Sequence, residues 1–169
     1  MLNLYMMTDY KSPSQKTGKG IYILEAITSK GPATVTKKEE FHELSENRVN
    51  LMMYLEAIKR INTPSEVLLH TDSNYLLSGF MEWSKKWERN QWTNGKGKDI
   101  KNADLWKEAI ALNRAKGIVL SATTQKHSFT SWMKGELSII CIHTCNINHS
   151  WQIIFFTYLP CFFSSCLNT

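Results

Sequence analysis

The sequence predicts an α/β domain, a five-stranded mixed sheet flanked by helices. Three observations carry that reading. Three strand-like runs follow one another near the N-terminus with short connections, as in an antiparallel meander. Beyond Ser45, helical periodicity alternates with two further strand-like runs, so the later strands must be joined by crossovers. A length of 169 residues suits one core of ordinary size that needs no disulfides.

In chain order, Leu2 to Thr8 is the first strand, ending at Asp9. The stretch KSPSQKTGKG, with Pro13, Gly18 and Gly20 as breakers, is a turn-rich loop. Ile21 to Ile27 and Thr34 to Phe41 are the next two strands, joined by a turn at Lys30-Gly31-Pro32. Ser45 is the candidate N-cap of a helix from Glu46 to Ile61, in which Leu51, Leu55 and Ile58 form an apolar stripe. Thr63-Pro64 breaks it. The apolar run Val67 to Leu69 opens a strand that ends His70-Thr71-Asp72, and a helix follows from about Ser73 to Arg89. The Gly/Lys loop TNGKGKDIKN leads to a helix from Ala103 to Lys116, stopped by Gly117. Ile118 to Thr123 is the fifth strand, and a helix from Thr130 to about Leu137 completes the order β-β-β-α-β-α-α-β-α. No internal repeat is visible.

The balance of 20 Lys+Arg against 15 Asp+Glu favours polyanionic partners. The N-terminal MLNLYMMTDY lacks the basic region of a signal peptide, so a cytoplasmic, reducing setting is expected. Charge is spread unevenly. Every charged residue lies between Asp9 and Glu136, whereas Ser138 to Thr169 has none and holds all four cysteines. The expected organisation is therefore a domain over 1–137 and an uncharged, Cys-rich, hydrophobic tail over 138–169.

The tail has three readings. Cys141-x-His143-x-Cys145-x₃-His149 holds metal-capable residues at a spacing that fits no usual zinc pattern. Trp151 to Leu167 sits at the bottom edge of a membrane span and is interrupted by Pro160 and Ser164-Ser165, so membrane contact has little support. The third reading is a readthrough or frameshifted end that replaces a normal last helix. The complete lack of charge favours it.

Asp9 and Asp72 occupy matching places, each after a Thr at the end of a strand. On neighbouring strands they bring two carboxylates close, and like charges so placed repel unless a cation sits between them. A hard divalent ion does this well, since Mg²⁺ prefers oxygen ligands and shares them with water and substrate phosphate. Two such ions can activate a water and stabilise the leaving oxygen of a phosphodiester. The bland alternative has Asp72 capping the helix at Ser73 and Asp9 opening a turn. Taken singly, either Asp fits that alternative better.

The strand-ending TD, the NR-x-x-L of the first helix (Asn47, Arg48, Leu51), TDSNY at 71–75 and GFMEWSKKWERNQWTNGKGKDIKNADLW at 79–106 come in one order. Together they resemble ribonuclease H of the type 1, bacterial kind, over about residues 4 to 137. The K-N-x-D-L-W piece, Lys101 to Trp106, is particularly specific. The resemblance implies a ribonuclease H-like five-stranded mixed sheet flanked by helices. It implies endonucleolytic cleavage of the RNA strand of RNA/DNA hybrids with Mg²⁺, or Mn²⁺ in its place, held by four acidic residues. Asp9 and Asp72 match two of these.

Two departures from the family pattern bear on activity. Where the family has a Glu three positions after the Asn of the NR pair, this chain has Asn50. An amide oxygen can still ligate a metal, but the site loses a negative charge. Glu46 lies one turn earlier on the same face, about 6 Å back along the axis, and is a candidate replacement. A first-turn acid favourable to the helix dipole explains it equally. Near the C-terminus, QKHSFTSWMKGEL lacks the family's Gly-rich loop but offers His127 for its proton shuttle and Glu136 for its last acid. A solvent-exposed loop His is the alternative for His127.

The resemblance assigns a phosphate-gripping surface to Trp83, Lys85, Lys86, Trp87, Arg89, Lys96 and Lys98. Lys and Arg supply the salt-dependent phosphate term while aromatics pack on sugars or bases. Trp83 and Trp87 serve equally as core; Trp106 and Trp132 read as core outright. Asn47 is a candidate for the hybrid minor groove, where 2′-hydroxyls distinguish RNA. A monomer with no obligate protein partner is expected. Asn50 separates an active nuclease from a weakened or inactive module that only binds hybrid or duplex nucleic acid. A different nuclease or integrase-type activity is a third reading, which the K-N-x-D-L-W piece argues against.

Overall fold

The computed structural model describes residues 1–138, and the tail readings fall outside them. Five strands, β1 (Leu2–Thr8), β2 (Gly18–Thr28), β3 (Gly31–Phe41), β4 (Ser65–Thr71) and β5 (Ile118–Thr123), form one sheet in the order β3-β2-β1-β4-β5. The first three pair antiparallel, while β4 runs parallel to both β1 and β5. The mixed sheet is as the element order implied, with β1 and β4 neighbours.

Alternation along β1 builds two cores. Leu4 and Met6 face α1 (Glu46–Lys59), whose Leu51, Leu55 and Ile58 are all buried. Tyr5 and Met7 face the other way, with Ile21 and Ile23 of β2, onto Met133 and Leu137 of α5 (Thr130–Ser138). Burying both faces explains the unbroken apolar run Leu4 to Met7 within β1. Gly20 lets α1 approach, since a Cβ there would stand 3.0 Å from Met53.

After β4, a single helix was expected from Ser73 to Arg89. The chain is helical without interruption from Asn74 to Arg89, as α2 (Asn74–Ser78), a π-helical turn over Gly79–Trp83 and α3 (Ser84–Arg89). Close packing accompanies the irregularity: a Cβ on Gly79 would lie 2.2 Å from the Trp106 ring of α4 (Ala103–Ala115). Trp106 is fully buried, and its Nε1 donates to Tyr75 Oη at 2.7 Å.

Other expectations need correction. Trp132 is 47% exposed rather than core, because α5 turns Met133 and Leu137 to the sheet. Ser45 holds the N-cap position of α1 without a side-chain cap bond. Gly31 and Pro32 belong to β3 rather than to the turn before it. Asp72 does not cap α2. Ser73 does, its Oγ accepting from Leu76 N at 3.3 Å.

Candidate active site

With the cap supplied by Ser73, the Asp72 carboxylate is free for another use. In the parallel pair, Tyr5 lies beside His70 and Met6 beside Thr71. Asp72 directly follows β4 and Asp9 directly follows β1, two residues apart if that register is continued past the strands. A step of two residues is about 6–7 Å along a strand, so both acids stand at one edge of the sheet. This follows from two neighbouring parallel strands ending together.

Asp9 remains tied to β2: Lys19 N donates to its Oδ1 at 2.7 Å, and Asp9 N donates to Lys19 O at 3.1 Å. Glu46 is close by. Its Oε1 accepts from Thr8 Oγ1 at 3.1 Å. The Tyr10 hydroxyl is pushed up by burial and then by the charges of Asp9 and Glu46. One turn along α1, Asn50 is wholly buried, and neither its Oδ1 nor its Nδ2 has a partner.

Asp72 lines a cavity of about 130 Å³ with Met7, Thr71, Gln125, His127 and Lys134. Burial pushes its carboxyl above the usual range, opposed by a backbone hydrogen bond and the Lys134 ammonium. His127 packs its ring on Tyr5 at 4.5 Å, and its backbone N donates to Thr130 Oγ1 at 3.1 Å. It is a half-buried residue rather than an exposed loop His. Glu136 is not brought to this cavity: it pairs with Lys38 of β3 at 3.0 Å, on the outer strand beyond β2.

Asn47 is half-buried in the first turn of α1. Beside it, Arg48 grips Asp104 at two points, 2.8 and 3.2 Å, linking the NR pair to the D-L-W of α4. A two-point guanidinium–carboxylate fork fixes orientation as well as distance, so α1 and α4 are held in register. From buried Trp106 a row of rings runs outward through Trp87 (5.4 Å) to Trp83 (5.5 Å further on), which is 38% exposed. Lys85, Lys86 and Arg89 are exposed around it. Asn94 Oδ1 accepts from the backbone N of Lys96 and of Lys98, at 2.9 and 3.2 Å, and so shapes the loop that presents both. Trp87 thus joins core and surface, and Trp83 stands at the exposed end of the row.

Sequence reading missed His70 and Lys134. Period-two alternation from Asp72 puts His70 on the Tyr5 face, so the signal was present in LLHTD. Lys134 had none, because its place depends on how α5 crosses the sheet.

Among the described residues no three His, Cys, Asp or Glu side chains converge as a metal cage. One or two carboxylates with water and substrate phosphate are nonetheless what Mg²⁺ usually takes from a protein. Asp9 and Asp72 are carboxylates of that kind, and the unpaired oxygen of buried Asn50 is neutral donor chemistry on α1.

A five-stranded mixed sheet in this order, with carboxylates where β1 and β4 end, defines a ribonuclease H-like protein. Likeness to solved structures agrees: LC9-RNase H1, a type 1 RNase H with the type 2 active-site motif, superposes with a TM-score of 0.65 at 18% identity, covering 80% of this chain and 69% of that one. A foamy viral protease-reverse transcriptase in complex with dsDNA gives 0.59 at 17% identity, over 78% and 84%. The chain belongs to the RNase H family, whose model matches residues 3–128. It is 32% identical over 102 residues to a ribonuclease H of Actinobacillus succinogenes, covering 60% of this chain and 59% of that one. With a ribonuclease H of Legionella pneumophila it shares 45% over 65 residues, or 38% and 46%. The chain thus spans about half the length of the curated relatives it matches. No described helix is long and apolar enough to cross a membrane.

Proposed function

We propose that this chain is an endonuclease that hydrolyses the RNA strand of RNA/DNA hybrids. Family membership supports the reading, and one observation carries it to the site. Asp9 and Asp72 each follow one of two neighbouring parallel strands, β1 and β4, and Asp72 is not used as a helix cap.

Asp9 and Asp72 would hold a divalent cation, Mg²⁺ or Mn²⁺, with Asn50 as a neutral neighbour and Glu46 as a nearby acid. When bound, the ion supplies charge to polarise the phosphodiester and to activate a water. The chain's own residues do the rest. Lys85, Lys86, Arg89, Lys96 and Lys98 grip phosphates of the DNA strand, and Trp83 packs on its sugars or bases. Asn47 meets the minor groove, where 2′-hydroxyls mark RNA. His127, on the wall of the Asp72 cavity, passes a proton as the product leaves. The working unit is residues 1–137 as a monomer.

A second reading rests on Asn50 and on Glu136 being paired with Lys38: a module that binds hybrid with little cleavage. The test is the full chain with a labelled hybrid, in Mg²⁺, Mn²⁺ or EDTA, beside Asp72→Asn. Metal-dependent cutting of the RNA strand that the variant loses supports the enzyme. Hybrid binding without cutting replaces it with the module.

A further inference from the structure

On the α5 face of the sheet, next to the carboxylate site, lies a histidine pair that the nuclease reading uses only in part. His70 of β4 and His127 have ring centres 5.4 Å apart at an interplanar angle of 60°. Tyr5 holds both. Its ring stacks on His70 at 4.5 Å and 23°, and meets His127 at 4.5 Å and 38°. Phe129 closes the cluster edge-on to Tyr5 at 5.0 Å. The Tyr5 hydroxyl donates to Glu25 at 2.9 Å, so the central ring is pinned at its far end too.

Both rings keep a buried Nδ1 with no hydrogen-bond partner. A buried nitrogen left unpaired forfeits roughly 1–3 kcal/mol, and here two such nitrogens belong to neighbouring rings. Imidazole lone pairs are the commonest protein donors for borderline transition-metal ions, whereas Mg²⁺ prefers oxygen. The spacing suits one ion. With a metal–nitrogen bond of about 2.0–2.1 Å and a ring nitrogen about 1.2 Å from its centre, two imidazoles on a tetrahedral ion have centres about 5.2 Å apart. The observed 5.4 Å needs little adjustment.

We propose that His70 and His127 form a site for a borderline divalent transition metal, Zn²⁺ being the type case, distinct from the carboxylate site. The ion is held by one ring nitrogen from each residue, with water in the remaining positions. His70 lies in a strand and His127 is fixed through Thr130 at the head of α5, so the site forms with the fold rather than with the ion. Its consequence rests on the nuclease reading: a metal on His127 blocks the proton transfer assigned to that ring, and Zn²⁺ inhibits Mg²⁺-dependent turnover.

The experiment follows histidine ring nitrogens by NMR in the full chain, ¹⁵N-labelled at His, during Zn²⁺ titration in excess Mg²⁺. His143 and His149 are part of the same spectrum, and His70→Ala and His127→Ala assign the two rings of interest. The expected result is that His70 and His127 shift together at one equivalent. Losing even an outer-shell partner costs a metal site about tenfold or more in affinity, so each single variant should weaken this step at least that much. The double variant should lose the step altogether. Shifts confined to other histidines, or one ring responding without the other, overturn the site. Zn²⁺ inhibition of cleavage, relieved in His70→Ala, reads the consequence separately. A chain that binds Zn²⁺ at the pair but cuts no hybrid sinks the nuclease reading and leaves the metal site standing.

Discussion

Lys38 of β3 donates from one ammonium to both the carboxylate and the backbone carbonyl of Glu136, each at 3.0 Å. The contact fastens the C-terminal turn of α5 to the outer part of the meander. It occupies the acid that, on sequence alone, was the sole candidate for the last metal ligand.

Glu136→Gln should therefore act on stability more than on cleavage. Half-exposed ion pairs typically contribute up to about 1 kcal/mol, and the amide keeps the hydrogen bond to Lys38. We expect a urea midpoint lowered by no more than that amount and hybrid cleavage within about twofold of the parent. A loss of cleavage to background would place Glu136 at the metal after all.

The histidine pair gives a pH dependence of stability. Burial holds the His70 ring below the usual histidine value, opposed by Glu25, and holds His127 below it by burial and by the His70 charge. With depressed folded values, the unfolded chain binds more protons as pH falls below about 6.5, so stability drops with pH there. Thermal melts between pH 7.5 and pH 5 should show a falling midpoint, with a shallower fall in His127→Phe. An unchanged slope in that variant would mean the proton uptake lies elsewhere.

Phosphate grip is legible from salt. Each phosphate contact contributes roughly −0.7 to −0.9 to the slope of log K against log salt. Lys86→Ala should weaken hybrid binding at low salt and make the slope shallower by about one, with the same effect on unrelated hybrid sequences. Trp83→Ala should weaken binding while leaving the slope alone. A Lys86→Ala slope matching the parent's would remove that residue from the interface.

What the sequence revealed was whatever local chemistry decides. Among the described residues the five strands and the helical segments were placed within a few residues, because apolar periodicity and breakers such as Thr63-Pro64 and Gly117 act locally. The π turn within the Ser73–Arg89 helix was not visible: it begins at Gly79, where Trp106 of a different helix packs close. Trp132 was misassigned because an aromatic ring signals burial only when the helix phase is known. The carboxylate site was half legible. Thr-Asp at two strand ends could be read directly, whereas the Lys38–Glu136 pair, Lys134 beside Asp72 and the stacking of His70 on Tyr5 arise only once strands distant in sequence lie side by side.

Asp72 carries a cost in stability. Burial is the larger influence on its carboxyl and pushes it up, so the native state favours the protonated form. That contribution to stability is present at low pH and is lost as pH rises through the raised value. At neutral pH the ionised carboxylate therefore weighs against folding. Asp72→Asn should raise the melting midpoint at pH 7 and erase metal-dependent cleavage together. A variant that loses stability instead would show that the carboxylate holds the fold through contacts other than a metal.

Asn50 presents the opposite case, a polar group buried without a polar partner. Leaving a buried donor and acceptor unsatisfied costs about 1–3 kcal/mol, and leucine has similar bulk without that demand. We expect Asn50→Leu to stabilise the metal-free chain by about that amount and to lower cleavage modestly through loss of the amide oxygen. Asn50→Glu should do the reverse. A carboxylate in this buried position destabilises the chain in EDTA, while a bound divalent ion favours the folded state by mass action and restores it. The readout is the difference between melts in EDTA and in Mg²⁺, which should widen in Asn50→Glu and vanish towards zero in Asp72→Asn. If Mg²⁺ shifts the melt of Asn50→Glu no more than that of the parent, this helix position does not face the ion, and the weakened site must be explained by Lys134 or by Glu136 instead.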